Sequence, residues 1–432
     1  MTRISQRGSV IVIALWALAV AALVTSSIQI FAFRQSLLGI EVHDRIQARW
    51  AARAGIETSI AAMSEHTIMP VQQNAFALID DLEYVSSGIT GTATWDIRHH
   101  VDGQDWRGPM DEHSKFNINT ENYGLFVQIL EDTLAFGVME SIMDWTDEDD
   151  EARILGVERD YYLSLETPYE PRNGPLRSIA EMELIAGVMP DDIRGEDWDL
   201  DYRLDTNEND GGQSLPWDEP NGILEGGWAT MFTAVSKDGG PTESGEPRIN
   251  LNNIDLETLQ LRLGLEEPQA MALVSLAGSD DSSLGKLLTN NLSVLAQGIE
   301  GVKDLEDDQL YLIFAETCLF EPHEAPVGRM NINTISPELL YKLFPDDSTL
   351  VEELLYLRVN NAGGISSPLN YRDIPGISPT MVEYLYEIFD TKSNVFTISS
   401  KGVAPASHVE QEIIVVVDRS TLPITILEYR EQ

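Results

Sequence analysis

The sequence predicts an α+β fold, and three observations carry that prediction. A helical pattern runs unbroken from Ser9 to about Met63. Alternating apolar segments of strand character lie before Asp102 and after Val395. Between them a short Asn-containing unit occurs three times, each copy followed by a helix-like stretch. The 432 residues include 71 Asp and Glu against 28 Lys and Arg, a formal charge of −43. That surface repels a phosphate backbone, which argues against a general nucleic-acid binder. It suits a solvated, salt-tolerant or calcium-binding protein. The single cysteine, Cys318, excludes an intrachain disulfide and reads as a buried small apolar residue.

No charged residue occurs from Gly8 to Phe33, and Ser9 to Phe31 reads SVIVIALWALAVAALVTSSIQIF. A helix of that length spans roughly 35 Å, enough for a bilayer core. Residues 9–33 are therefore read as a membrane helix. Arg3 and Arg7 precede it and place the N-terminus in the cytoplasm, with the remainder exported. Thr25, Ser26 and Ser27 make a poor signal-peptidase site. The helical pattern continues over 34–63, with Leu38, Val42, Ile46, Trp50 and Ala54 recurring beside Arg45, Arg49 and Arg53, and the first proline is Pro70. One helix of roughly 80 Å is expected, its second half packed on a soluble domain.

Residues 64–113 hold strands, with alternation from Phe76 to His100 and a loop from Asp102 to Pro109. The repeated units are Lys115-Phe116-Asn117-Ile118-Asn119, Arg248-Ile249-Asn250-Leu251-Asn252 and Arg329-Met330-Asn331-Ile332-Asn333. The paired asparagines Asn117 and Asn119, Asn250 and Asn252, Asn331 and Asn333 are expected to bond backbone groups at a strand-to-helix turn. After the third unit, Ser336 caps a helix and Pro337 fits its first turn. These units divide the middle of the chain into helical segments 114–225, 248–328 and 329–392, with a strand and loop at 226–247. Residues 393–432 contain three strands, Val395 to Ser400, Val409 to Asp418 and Ile424 to Tyr429.

Two acidic segments are candidate Ca²⁺ sites, because hard cations take six to eight oxygen ligands. In the first, Asp144, Asp147, Asp149 and Asp150 could bring several carboxylates to one loop. In the second, Asp205, Asn207 and Asn209 place oxygens at alternate positions before Gly211 and Gly212, with Asp199 and Asp201 close upstream. Asp210 stands where an EF-hand has glycine, and the twelfth position is Pro216. No catalytic motif is present: His99 and His100 are adjacent and point to opposite faces of a strand, and neither a phosphate loop nor a GxSxG elbow occurs.

The basic leader ending at Gly8 before an apolar helix starting at Ser9 resembles the class III signal of type IV pilins and pseudopilins. The resemblance implies cleavage between Gly8 and Ser9 by a prepilin peptidase, removing a leader of residues 1–8. Most members carry Glu at mature position five; this chain has Ile13, and in this it is similar to minor pseudopilin K of type II secretion. The run from Ala48 to Glu57 also resembles that family. So does the segment from Ile142 to Pro175, with Asp144-Trp145, Asp147 to Glu151, Glu158 to Tyr162, Pro168-Tyr169 and Arg172 to Pro175.

The resemblance implies a pilin-like sheet against the long helix, including a strand around Met231 to Val235, with SAM-like or helix-hairpin-helix modules inserted. It implies a non-enzymatic subunit at the tip of a periplasmic pseudopilus, anchored in the inner membrane by a single span and complexed with two other minor pseudopilins. It also favours calcium in the soluble domain. Asp373 to Ser378 resembles a hairpin of the inserted module. DNA binding through such hairpins is the alternative function, although Asp373, Asp346 and Asp347 lie where phosphate would sit.

Overall fold

The computed structural model describes residues 7–120, 122–130, 134, 137–240, 242, 244–279, 282–296, 298–321 and 325–432, with 7–9 as backbone only. Residues 1–6 of the expected leader lie outside them. Helix α1 (Arg7–Ile68) contains 62 residues, about 93 Å at 1.5 Å each. Every residue from Val10 to His43 is exposed.

Beyond that stretch the helix lies on a sheet, through a face that the periodicity did not single out. Ala48, Ala51, Ala52, Ile56, Ser59 and Met63 are buried, whereas Leu38, Val42, Ile46 and Trp50 are more than half exposed. The reason is close approach. A Cβ on Gly55 would stand 2.3 Å from Ser400 Oγ, and one on Gly402 would stand 1.9 Å from the Ala48 carbonyl oxygen. The sheet comes so near α1 that only small side chains fit between them, and the larger stripe is turned to the outside.

Helix α2 (Ala77–Tyr84) replaces the strand expected to begin near Phe76; Leu78 and Leu82, four residues apart, bury together. Strands β1 (Ser87–Thr90), β2 (Ala93–Val101), β3 (Gln104–Arg107) and β4 (Met110–Asp111) follow. The expected loop after Asp102 contains β3. Asp102 and Gly103, at φ of 52° and 70°, form a two-residue turn that returns the chain along β2. Asp-Gly is a favoured pair for such hairpins, because both central residues need positive φ.

Three helical modules come next. The first runs from β5 (Phe116–Asn117) through α3 (Tyr123–Leu130), α4 (Val138–Thr146), α5 (Arg159–Leu163) and α6 (Pro190–Arg194) to β6 (Phe232–Thr233). The second runs from β7 (Ile249–Asn250) through α7 (Leu256–Leu263), α8 (Glu267–Ala277), α9 (Leu292–Leu295) and α10 (Asp307–Glu316) to β8 (Thr317–Cys318). The third runs from β9 (Met330–Asn331) through α11 (Pro337–Leu343), α12 (Ser348–Asn360) and α13 (Pro379–Ile388) to β10 (Phe389–Asp390). Strands β11 (Val395–Val403), β12 (Glu410–Asp418) and β13 (Thr425–Glu431) close the chain. The main sheet has the order β1-β2-β11-β12-β13, with antiparallel neighbours, β3 on β2 and β4 on β11. The α+β layout of a long helix on an antiparallel sheet is therefore present. Residues 231–235 do not belong to that sheet, contrary to expectation, because β6 pairs in parallel with β5.

The same closure occurs in all three modules. The opening strand pairs in parallel with the closing strand, β5 with β6, β7 with β8 and β9 with β10. The first Asn accepts from the amide of the second: Asn117 from Asn119, Asn250 from Asn252, Asn331 from Asn333. The second Asn donates from Nδ2 to a carbonyl just past the closing strand, at Ala234, Leu319 and Thr391 respectively. Each Asn-x-Asn thus ties the start of a module to its end. The first and third modules share one core, with Phe126, Ile129, Phe232, Leu340, Leu354 and Phe389 among its members. The second builds its own around Leu251, Leu259, Leu263, Leu273, Leu287 and Ile313.

In the third module the lock is buried: Asn333 bonds the Ile365 amide and carbonyl as well as the Thr391 carbonyl. Asn333→Ala should cost about 1–3 kcal/mol for each buried group left unpaired. Asn252→Ala, at an exposed lock, should cost about 1 kcal/mol or less. Denaturant unfolding of the full chain in detergent micelles measures both, and equal losses would count against the locking role.

Candidate functional site

The segment from Asp144 to Pro175 gathers around Trp145. Its ring packs edge-on against Tyr162 with centroids 5.1 Å apart, and its Nε1 donates to Glu181 Oε1 at 3.1 Å. Arg172 holds the same Glu181 carboxylate, and Tyr169 donates its hydroxyl to the Leu184 carbonyl. The signature residues therefore form one packed unit. Asp144, fully buried at the end of α4, accepts from the Arg153 backbone amide and from Arg153 Nη1 at 2.6 Å. Asp144, Asp147 and Glu158 converge, with one oxygen of each within 4.8 Å of the others. Arg153 also bonds Asp147, so a guanidinium already neutralises two of the three. Burial, with Asp144 and Asp147 beside it, pushes Glu158 up to about 7. Of the remaining candidates, Asp149 accepts from the Glu151 amide and Asp150 from Asn173 Nδ2. Neither joins Asp147.

The second acidic segment docks on the main sheet. Asp199, Asp201 and Asp205 meet Glu412 of β12, again within 4.8 Å of one another. Leu200 and Tyr202 take positive φ of 54° and 61°, which costs energy for residues of this size. Asp201 is 1% exposed; its Oδ1 accepts from the Arg203 amide, whereas Oδ2 is buried without a hydrogen-bond partner, as is Asp199 Oδ1. Asp205 accepts from Lys401 Nζ at 2.6 Å, and Glu412 from Ser399 Oγ. Asp197 and Glu208 flank the group with Asp199, but their carboxylates already accept backbone amides of Asp201, Tyr202, Trp198 and Asp205.

Burial and neighbouring negative charge raise Asp197, Asp199, Asp201 and Glu208. Asp197 moves up to about 7 and Glu208 to about 8, each by burial first; Asp201 is pushed well up by burial, Glu412 and Asp197.

Of the acids named in sequence, Asp144 and Asp147 fall in one carboxylate cluster and Asp199, Asp201 and Asp205 in another. Asn207 Nδ2 donates to the Leu215 carbonyl, and Asn209 Oδ1 accepts from the Gly222 amide. Asp210 caps Gln213 and Ser214. The sequence reading did not pick Glu158 or Glu412 as site residues. Glu412 lies on a strand far along the chain, and no local pattern could have joined it to Asp201. Gly8 and Ser9 fall in the first turn of α1. Four groups could thus hold a hard cation through Asp199, Asp201, Asp205 and Glu412, with Lys401 as a competing cation.

The comparisons with known proteins bear on this same region. Residues 123–195, from α3 to the end of α6, match the family model for type II secretion system protein K. Among solved structures, a chain from the crystal structure of the GspK-GspI-GspJ complex of the enterotoxigenic Escherichia coli type 2 secretion system aligns with a TM-score of 0.41 and 13% identity, covering 91% of this chain and 99% of that one. No curated protein matches in sequence.

The raised acids make a signed prediction for protein kept metal-free with a chelator. Groups whose folded pKa exceeds the unfolded value bind more protons in the folded chain than in the unfolded one between those two values, so stability falls with pH across that window. Their stabilising contribution is complete below about pH 4 and is lost as pH rises through about 7 for Asp197 and about 8 for Glu208. Replacing Glu208 by Gln should flatten the upper part of that decline in a melting-temperature series. An unchanged slope would contradict the buried, charge-crowded setting.

Proposed function

We propose that the protein is a membrane-anchored minor pseudopilin of a type II secretion system, a structural subunit rather than an enzyme. The observation that carries this reading is the match of residues 123–195 to protein K of that system. The architecture agrees with it: α1 contains a span long and apolar enough to cross a membrane, and continues onto an antiparallel sheet. In this reading α1 spans the inner membrane once, with the N-terminus cytoplasmic and the modules periplasmic. A prepilin peptidase cuts between Gly8 and Ser9.

Two other minor pseudopilins are the partners. Leu38, Val42, Ile46 and Trp50, exposed along one side of α1, form an apolar stripe of the kind that pairs helices. Ile13 leaves no carboxylate to pair with a neighbour's terminal amine within the bilayer, where an unpaired charge is costly. That absence suits a subunit with nothing stacked above it. A nucleic-acid role draws no support from the comparisons.

Mass spectrometry of the chain from a membrane fraction tests this reading. A mature protein beginning at Ser9 is expected, and Ile13→Glu should be processed equally well. A chain still beginning at Met1 or Thr2 in cells with active peptidase would sink it.

Calcium at Asp199, Asp201, Asp205 and Glu412 belongs to the same proposal. The fit rests on Asp201 Oδ2 and Asp199 Oδ1, buried oxygens without a hydrogen-bond partner in an all-oxygen set. A bound cation would turn the mutual repulsion of these carboxylates into attraction. Calcium should raise the melting temperature of the full chain in micelles, by linkage to binding, and Asp201→Asn should abolish most of the rise. An equal response in the variant would remove calcium from this cluster.

A further inference from the structure

One cavity combines a buried cation with a wall whose described residues include no acid. It has a volume of about 60 Å³ and lies where the C-terminal end of α1, the chain leading into α2, the turn after β10 and the start of the β12–β13 turn come together. His66, Asn74, Thr242, Lys392, Asn394 and Arg419 supply much of its polar wall. Among the described residues lining it there is no Asp or Glu, in a chain that contains 71 of them.

Arg419 is the notable member. It is 6% exposed. Its Nε donates to Thr67 Oγ1 at 3.2 Å and its Nη1 to the Ser393 carbonyl at 3.2 Å. Among the described residues no carboxylate pairs with it. The contrast is Arg329, its side chain 20% exposed, which pairs with both Asp238 and Asp390. Leaving a buried guanidinium without an anion is costly. Burial lowers Arg419 only to about 10, so it remains a cation at neutral pH. The carbonyl end of α1, at Thr67, offsets part of that cost through the helix dipole. His66 is lowered by burial and then by Arg419, and the exposed Asp81 carboxylate, 3.3 Å from its Nε2 outside the wall, opposes that shift.

We propose that this cavity binds a tetrahedral oxyanion, inorganic phosphate or sulfate, with the Arg419 guanidinium as its principal ligand. The fork of N–H donors on arginine matches two oxygens of such an ion. A water-sized group needs about 10–15 Å³, so the cavity admits roughly four to six of them, the size of an ion with five heavy atoms. The described residues of the wall are basic or neutral, which favours an anion over a cation. A lipid headgroup is too far away: Thr67 lies 34 residues of helix beyond Phe33, about 50 Å from the end of the apolar run. The bound ion would fasten the end of α1 to the exit of the third module and to the β12–β13 turn.

Equilibrium dialysis of the full chain in micelles against radiolabelled inorganic phosphate, with ionic strength held by chloride, tests the proposal. One saturable site is expected, with sulfate competing. Arg419→Lys, which keeps the charge and loses the fork, should bind about tenfold more weakly or worse. Arg419→Met should not bind, and phosphate should raise the melting temperature of the natural chain above its value in chloride but not that of this variant. Absence of saturable phosphate uptake by the natural chain would overturn the proposal, whatever the variants do. So would unchanged uptake in Arg419→Lys and Arg419→Met, and either result would leave Arg419 as an internal cap on α1.

Discussion

Lys115 and Glu112 form an ion pair at 3.1 Å in the centre of the molecule, and the arrangement of the soluble parts depends on it. The lysine is fully buried and the glutamate nearly so. Glu112 accepts the Thr397 hydroxyl of β11 through Oε1 and the Thr233 hydroxyl of β6 through Oε2, both at 2.6 Å. Lys115 opens the first module and sits 3.8 Å from the centre of the Tyr202 ring, in the segment that carries the acidic cluster. One pair therefore joins the main sheet, both ends of the first module and the candidate cation site. Burial opposes both charges. Lys115 and the two hydroxyls outweigh it and hold Glu112 below the usual carboxylate range, and Glu112 in turn raises Lys115. A pair like this adds little net stability over an apolar substitute, but removing one member costs about 3–5 kcal/mol, so it specifies one arrangement of the parts.

The other two modules repeat the device with different success. Arg329 opens the third and pairs with Asp238 and with Asp390 of its closing strand. Arg248 opens the second; its Nη1 reaches the Thr317 carbonyl at 3.4 Å and its Nε is buried without a partner. The second module is also the one with its own core and with exposed asparagine locks. It is attached to the third by side-chain bonds such as Arg372 to the Leu287 and Leu288 carbonyls, by Leu288, which joins the shared core, and by Phe314 on Tyr386 with ring centroids 5.5 Å apart.

The long helix serves two environments with two faces. Its small residues admit the sheet, and Arg49 fastens it to Glu431 of β13 through two bonds of 2.7 and 2.8 Å. Its large apolar residues remain outside. A stripe of Leu, Val, Ile and Trp at helical spacing is normally read as a core face. Here the core face is the quieter one, because Gly55 and Gly402 let two backbones meet.

The sequence by itself determined the elements whose cause is local. These are the length of α1, which needs only an apolar run without proline, the three C-terminal strands, and the threefold Asn-x-Asn unit. Each asparagine bonds an amide two residues away, so its role is written into adjacent positions. The second acidic segment was legible as a cluster of oxygens, but its true membership was not. Asp201 and Asp205 find Glu412 only because β12 lies beneath them, while Asn207 and Asn209 are claimed by nearby backbone. The parallel closure of β5 on β6, the face of α1 that meets the sheet, and the burial of Arg419 were likewise decided in three dimensions. Each depends on residues far apart in the chain sharing one small volume, and periodicity carries no information about such meetings.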